Sequence, residues 1–337
     1  MLTALAAVAR YVSGFSDIAA FVLATLALAA MAWLVSFATE QTGRRYGPAI
    51  TGVMQSTLGN LPEFFVVLFA LNAGQLVVAE TALIGSIVVN ALLVLGLVII
   101  VGARQARDGV MRFSTRLPND TATLLLISTF IIILIALSHS AGDTASHHAK
   151  TISIVGAAAL LLVYVWWLTD YLRSDAAPED TEPARLTRAT SVVLLAAGGV
   201  GSAFVSDWFV DALTPTIHTL HITEAFAGLV IVAIAGNAVE NVTGIFLAAK
   251  GRPELAISVV KNSVAQIAAF LYPLLVIVSL LTATTLTFSM SPVYAGALFG
   301  TAVIIWQVTG DGEATGFEGA ALIAAYVILA IVAAFET

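Results

Sequence analysis

Two glutamates share one local frame, and each lies inside an apolar run long enough to cross a membrane. Gly59-Asn60-Leu61-Pro62-Glu63 and Gly236-Asn237-Ala238-Val239-Glu240 both read Gly-Asn-x-x-Glu and stand 177 residues apart. A second pair follows at the same offset: Ser86, with Asn90 a turn later, and Ser263, with Gln266 a turn later. Two elements repeated at one offset mark an internal duplication. An ionised carboxylate in the hydrocarbon core is costly and by default marks an ion or proton path. Asn60 and Asn237 precede their glutamates by three residues, which on a helix puts amide and carboxylate on one face. The candidate binding set is thus Glu63 and Glu240, with Asn60, Asn237, Ser86, Asn90, Ser263 and Gln266 as neutral oxygen donors. Hard cations such as Ca2+ take roughly six to eight oxygens, some from carboxylates. Gly59, Gly236 and Pro62 let helices bend or approach and free carbonyls as further ligands. With no sulfur and no histidine in the set, zinc and copper are disfavoured. Burial penalises a charged carboxyl, a second carboxylate adds to the penalty, and a divalent cation relieves both. Protons and cation therefore compete for Glu63 and Glu240, and alternating access turns that competition into exchange.

The elements that position these residues are apolar helices. Hydrophobic residues make up 59% of the 337-residue chain and charged residues 10%, against about 25% charged in an ordinary soluble domain. The mean hydropathy is +0.98. Ten runs reach spanning length, about 20 residues: A 18–38, B 48–71, C 76–101, D 120–138, E 149–170, F 190–210, G 223–249, H 254–281, I 292–308 and J 317–335. They are continuously apolar without period-two alternation, so they read as helices rather than barrel strands. Residues 1–14 form a weaker stretch, too short to span and without a convincing signal-peptide cleavage site. The chain has no cysteine, which excludes disulfides, thiolate metal sites and cysteine nucleophiles. A net charge of −7 argues against a nucleic-acid partner. The expected partners are inorganic cations, protons and the lipid bilayer. No resident cofactor and no nucleotide loop is expected, and the oligomeric state is not legible.

Basic residues set the expected orientation. Loops A–B (Arg44, Arg45), C–D (Arg104, Arg107, Arg112, Arg116), E–F (Arg173, Arg185, Arg188) and G–H (Lys250, Arg252) hold eleven, against Arg10 and Lys150 on the other side. Those four loops should face the cytoplasm and both termini the outside of the cell membrane. Residues 173–189 form an acidic linker with two prolines and Asp175, Glu179, Asp180 and Glu182. The expected fold is all-α: a short segment 1–16, a five-helix repeat 17–172, the linker, and a second five-helix repeat 190–337. An odd number of helices per half inverts the second repeat, an arrangement of secondary transporters.

GNLPEFFVVLFAL (59–71) and AGNAVENVTGI (235–245) resemble the paired signature helices of the cation/proton exchanger (CAX) family of the calcium/cation antiporter superfamily. SFATEQ (36–41), LIGSIVVNALLVLGL (83–97), SVAQIAAF (263–270) and GFEGAALIAAYVILAI (316–331) extend the resemblance to nearly the whole chain beyond residue 17. It implies Ca2+/H+ antiport, with Glu63 and Glu240 as central ligands and proton carriers and the other six residues as supporting ligands or gating positions. Three positions depart from the pattern: Asn241 replaces a histidine, Lys261-Asn262 replaces a small residue and glycine, and Val89 replaces a small or hydroxyl residue. An ammonium from Lys261 in the site would change its net charge from −2 to −1 and favour Na+ or K+. At about 100° per residue, though, Lys261 points away from the Ser263/Gln266 face, as a lysine that snorkels or pairs elsewhere would. Na+ or K+/H+ exchange by the same fold is therefore the alternative function. A cation channel and an intramembrane hydrolase are the more distant ones: the duplicated carboxylates favour alternating access, and no HExxH or GxSxG motif is present.

Other polar residues have plainer readings. Ser86 and Ser263 could bond back to their own helix. Glu80, Glu224 and Glu254 read as helix-start acids. Asp311, Glu313 and Glu318 read as an acidic loop or cation funnel between I and J, and His139, His147 and His148 as exposed loop residues. Trp166, Trp167 and Tyr171 read as an interfacial belt.

Overall fold

The computed structural model describes residues 1–12, 14–43, 58–173 and 184–336. Within them lie α1 (Leu2–Tyr11), α2 (Asp17–Gly43), α3 (Leu61–Asn72), α4 (Leu76–Gln105), β1 (Val110–Arg112), α5 (Arg116–Ser140), α6 (Ala149–Arg173), α7 (Arg188–Leu220), α8 (Glu224–Gly236), α9 (Ala238–Ala249), α10 (Pro253–Leu281), α11 (Pro292–Thr309), β2 (Glu313–Thr315) and α12 (Gly316–Phe335). Eight of these helices are long and apolar enough to cross a membrane, and the pair α8–α9, bent by 61°, makes a ninth candidate span. The first part of expected span B, residues 48–57, lies outside the described residues, as do Arg44, Arg45 and the linker acids Asp175, Glu179, Asp180 and Glu182. Spans A, C, D, E, H, I and J appear within a few residues of their expected bounds. Span F runs on to Leu220.

The architecture is a helical bundle in which α2 packs along α7, α4 against α8 and α12, α5 against α11, and α10 against both α9 and α5. Residues 1–14 contribute the ten-residue α1, which packs on α2 and α7 and pairs Arg10 with Asp211.

Local structure repeats at the sequence offset. Both α3 and α9 have 12 residues, 61–72 and 238–249. Each ends in a left-handed glycine, Gly74 (φ 77°) and Gly251 (φ 68°), where a Cβ would be strained. The following helices start at Leu76 and Pro253, and each widens to a π-helical turn, Val89–Val94 and Ile267–Leu271. Such turns are rare and frequent at functional sites. The two long helices run in opposite directions: just beyond the end of α4, the Ser114 N–H donates to Glu254 at the start of α10 (2.8 Å).

That end of the bundle is tied by a ribbon. β1 pairs antiparallel with β2, and Arg112 bridges Asp108 (2.7 Å) and Glu313 (3.1 Å). Glu318 closes a capping box with Thr315 at the start of α12. Glu313 and Glu318 therefore hold structure rather than form a free acidic funnel. Glu80 is not a helix-start residue either: it is the fifth residue of α4. His139, His147 and His148 are exposed, and no group of three potential metal ligands of the His, Cys, Asp or Glu type occurs among the described residues. Trp166 is exposed, whereas Trp167 turns inward and donates to Asp120 (3.4 Å).

Candidate ion-binding site

Neither signature glutamate sits mid-helix. Asn60 (φ −87°, ψ 12°) and Asn237 (φ −94°, ψ 13°) are non-helical residues directly preceding α3 and α9, so Glu63 and Glu240 fall in a first helical turn. In α3 the break is reinforced by Pro62, which fits only the first turn of a helix. A helix start offers unpaired N–H groups and the positive end of the dipole, a setting that suits a carboxylate inside a membrane. The expected shared face of amide and carboxylate is replaced by a crosswise arrangement. Each asparagine reaches the long helix of the other half.

Asn237 donates to Ser86 Oγ (2.9 Å) on α4 and to the Ala233 carbonyl (2.9 Å). Ser86 in turn donates to Glu63 Oε1 (3.0 Å). Asn90, in the π-helical turn of α4, donates to Asn237 Oδ1 (2.7 Å) and to the Ser86 carbonyl (2.9 Å). Asn60 donates to Gln266 Oε1 (3.5 Å) on α10. Ser86 is thus no back-bonded hydroxyl but the hinge of a buried network of Glu63, Asn90 and Asn237. Glu240 is half-buried, and Gly236, four residues before it, lies against Glu63. Ser263 is buried. Glu63 Oε2, Asn90 Oδ1 and Ser263 Oγ have no hydrogen-bond partner among the described residues. Buried polar atoms are nearly always paired, so these three oxygens need a reason.

Packing explains why Glu63 holds its place. A Cβ on Gly236 would stand 3.0 Å from Glu63 Cγ and 3.3 Å from Oε1, so only glycine leaves this room. Beside Glu63 lies a cavity of about 10 Å3, roughly one water's space, lined by Ser86, Gly236, Val66, Leu83 and Val232 among others. Ser206 on α7, passed over in the sequence, donates to the Pro62 carbonyl (3.2 Å) and anchors the start of α3. Its only signal was a hydroxyl within an apolar span.

Lys261 does not snorkel, nor does it pair among the described residues. It is 0% exposed, and its Nζ has no partner among the described residues. α10 packs against α4, α5, α6 and α9, and the Lys261 side chain is enclosed among them. Asn241, next to Glu240, also has a buried Oδ1 without a partner among the described residues.

Paired carboxylates and neutral oxygens, at helix breaks inside an apolar bundle, define a multi-pass membrane cation transporter. The sodium/calcium exchanger protein family matches residues 16–169 and 190–335, and the chain belongs to that family. It is an ion antiporter rather than an enzyme, and the resemblance to cation/proton exchangers holds. The chain is 31% identical over 322 residues to a vacuolar calcium ion transporter of Schizosaccharomyces pombe, covering 92% of this chain and 78% of that protein. It is 31% identical over 320 residues to the Ca(2+)/H(+) antiporter ChaA of Bacillus subtilis, covering 92% and 90%. Among solved structures, native YfkE superposes with a TM-score of 0.81 at 27% identity, covering 99% and 97% of the two chains. The H+/Ca2+ exchanger CAX shares the fold at 15% identity, with a TM-score of 0.77 over 98% and 89%.

Proposed function

We propose that this protein exchanges cytoplasmic Ca2+ for external H+ by alternating access, with Glu63 and Glu240 as a site shared by cation and protons. The observation that carries the reading is the bonded network of Glu63, Ser86, Asn237 and Asn90, in which Glu63 Oε2 and Asn90 Oδ1 are buried and without a partner among the described residues. An all-oxygen set that includes carboxylates suits a hard divalent cation. The names of relatives such as ChaA point to the same cargo and counter-ion. Asn60, Asn237, Ser86, Asn90, Ser263 and Gln266 complete or orient the site, and Asn241, beside Glu240, modulates it. The site lies between two inverted five-helix repeats, ten spans in all. The ribbon end, with loops 106–115 and 250–252, faces the cytoplasm. When protons occupy the carboxyls the site is neutral, and when Ca2+ occupies it the two negative charges are matched. Either loaded form can cross between the two access states more readily than the empty, doubly charged one.

The test is cation-driven proton movement in reconstituted vesicles with an internal pH dye, comparing Ca2+, Na+ and K+. The expected result is a Ca2+ response in the wild type that is lost in Glu240→Gln. A response to Na+ or K+ alone would replace Ca2+ as cargo.

A further inference from the structure

The two long site helices differ in one respect that their repeat conceals. From Val78 to Leu92, α4 is buried all round except at Glu80. On α10, from Ala256 to Phe270, the half-buried positions are Ser258, Val259, Asn262, Gln266 and Phe270. At four-residue spacing, Ser258, Asn262 and Gln266 form one stripe along the helix. It begins near the ribbon end and stops where Gln266 meets Asn60. The counterparts 177 residues earlier are Thr81, Gly85 and Val89, all buried. Thr81 turns its hydroxyl back to the Val77 carbonyl (2.6 Å). Gly85 lies against the backbone of α8, where a Cβ would stand 2.7 Å from Leu229 Cα and 2.8 Å from Ala233 Cβ. The first half thus presents a sealed crossing where the second presents an amide.

A Ser-Asn-Gln stripe turned to lipid would leave polar groups unsatisfied in hydrocarbon, which is tolerated only where such groups line protein or water. Asn262 donates to Ser258 Oγ (3.4 Å), while its Oδ1 is buried and has no partner among the described residues. A backbone cannot close on position 262 as α8 closes on Gly85, because the side chain holds it off.

We propose that the Ser258–Asn262–Gln266 face of α10 is a one-sided cation path from the ribbon end to the paired carboxylates, and that Asn262 is a ligand on that path whose amide oxygen takes the cation one turn before Gln266. This rests on the antiport reading for its cargo but not for its geometry. The chain has no cysteine, so single-cysteine variants report without background. In sealed vesicles, Ser258→Cys is expected to react with a membrane-impermeant cationic thiol reagent from the ribbon face and not from the other, and Thr81→Cys from neither while the ribbon face is open. Asn262→Leu keeps the bulk and removes the ligand. It is expected to lower Ca2+ transport at sub-saturating Ca2+ on that face about tenfold, as loss of one ion–dipole contact would, with the maximal rate kept and Asn262→Gln restoring it. Labelling of Ser258→Cys from both faces, or only by a lipid-soluble reagent, overturns the path. An unchanged rate at low Ca2+ in Asn262→Leu overturns the role of the amide. One-sided labelling in a protein that moves no Ca2+ supports the path and counts against the cargo alone.

Discussion

Ser86 on α4 donates to Glu63 on α3 across 3.0 Å, and the same hydroxyl accepts from Asn237 of the second half. One small side chain thereby couples the carboxylate of one half to the helix break of the other. Its repeat mate Ser263 makes no such bond among the described residues. The duplicated serines are therefore not equivalent, and they should respond differently to substitution.

Ser86→Ala leaves Glu63 Oε1 and the Asn237 amide each short of a buried partner. The expected cost is about 1–3 kcal/mol of stability together with weaker Ca2+ binding. Ser263→Ala removes a buried hydroxyl that has no partner, so stability should stay level or rise slightly while Ca2+ binding still weakens. Thermal unfolding and Ca2+ titration of the two variants side by side separate these outcomes.

Gly236→Ala places a methyl 3.0 Å from Glu63 Cγ. The carboxylate can yield, so the expected effect is a loss of Ca2+ affinity with the fold kept. Gly85→Ala instead drives a methyl into the Leu229 backbone, which cannot yield without moving α8 from α4. That variant should lose about 1–3 kcal/mol of stability, the usual cost of overpacking. Equal effects of both on unfolding temperature would contradict this assignment.

Lys261→Met fills a similar volume and removes a buried amine without a partner. Stability should rise by about 1–3 kcal/mol. The preference among Ca2+, Na+ and K+ should stay the same, because the helical angle turns position 261 away from Ser263 and Gln266. A shift toward Ca2+ in this variant would place the lysine in the site.

The ribbon carries a pH dependence of its own. The Arg112 guanidinium beside Asp108 holds that carboxyl below the usual carboxylate range. A lowered carboxyl contributes stability that is complete above its unfolded value, about 4. That contribution fades as pH falls through the folded value. Amide protection at Met111 and Ala314, which pair in the ribbon, should therefore be flat from neutral pH down to about 4 and decline below it. The decline should be absent in Asp108→Asn and smaller in high salt, since the pair is exposed.

Much of this was legible because hydropathy is a one-dimensional signal. Helices of spanning length declare themselves, and a carboxylate inside one stands out against them. The offset between Glu63 and Glu240 recurs in the structure as the matching lengths of α3 and α9 and the paired glycines 74 and 251. What stayed hidden depends on contacts between distant residues. Gly-Asn and Pro62 hinted at bending, but the placement of Glu240 in a first turn emerges only where α8 and α9 part by 61°. The crosswise bonds of Asn60 to Gln266 and of Asn237 to Ser86 join opposite halves, and no local spacing encodes them. Strands of three residues are too short for any period to show, so the ribbon read as loop. The complete burial of Lys261 is likewise decided by the neighbouring helices and not by local spacing.

The central claim is that Ca2+ and protons occupy the same two carboxyls, and the most direct measurement is the number of protons released when Ca2+ binds the purified full chain in weakly buffered detergent solution. The account predicts release in the wild type that grows as the starting pH is lowered, and none in Glu63→Gln together with Glu240→Gln. Ca2+ binding without proton release in the wild type, or undiminished release in the double variant, would contradict it.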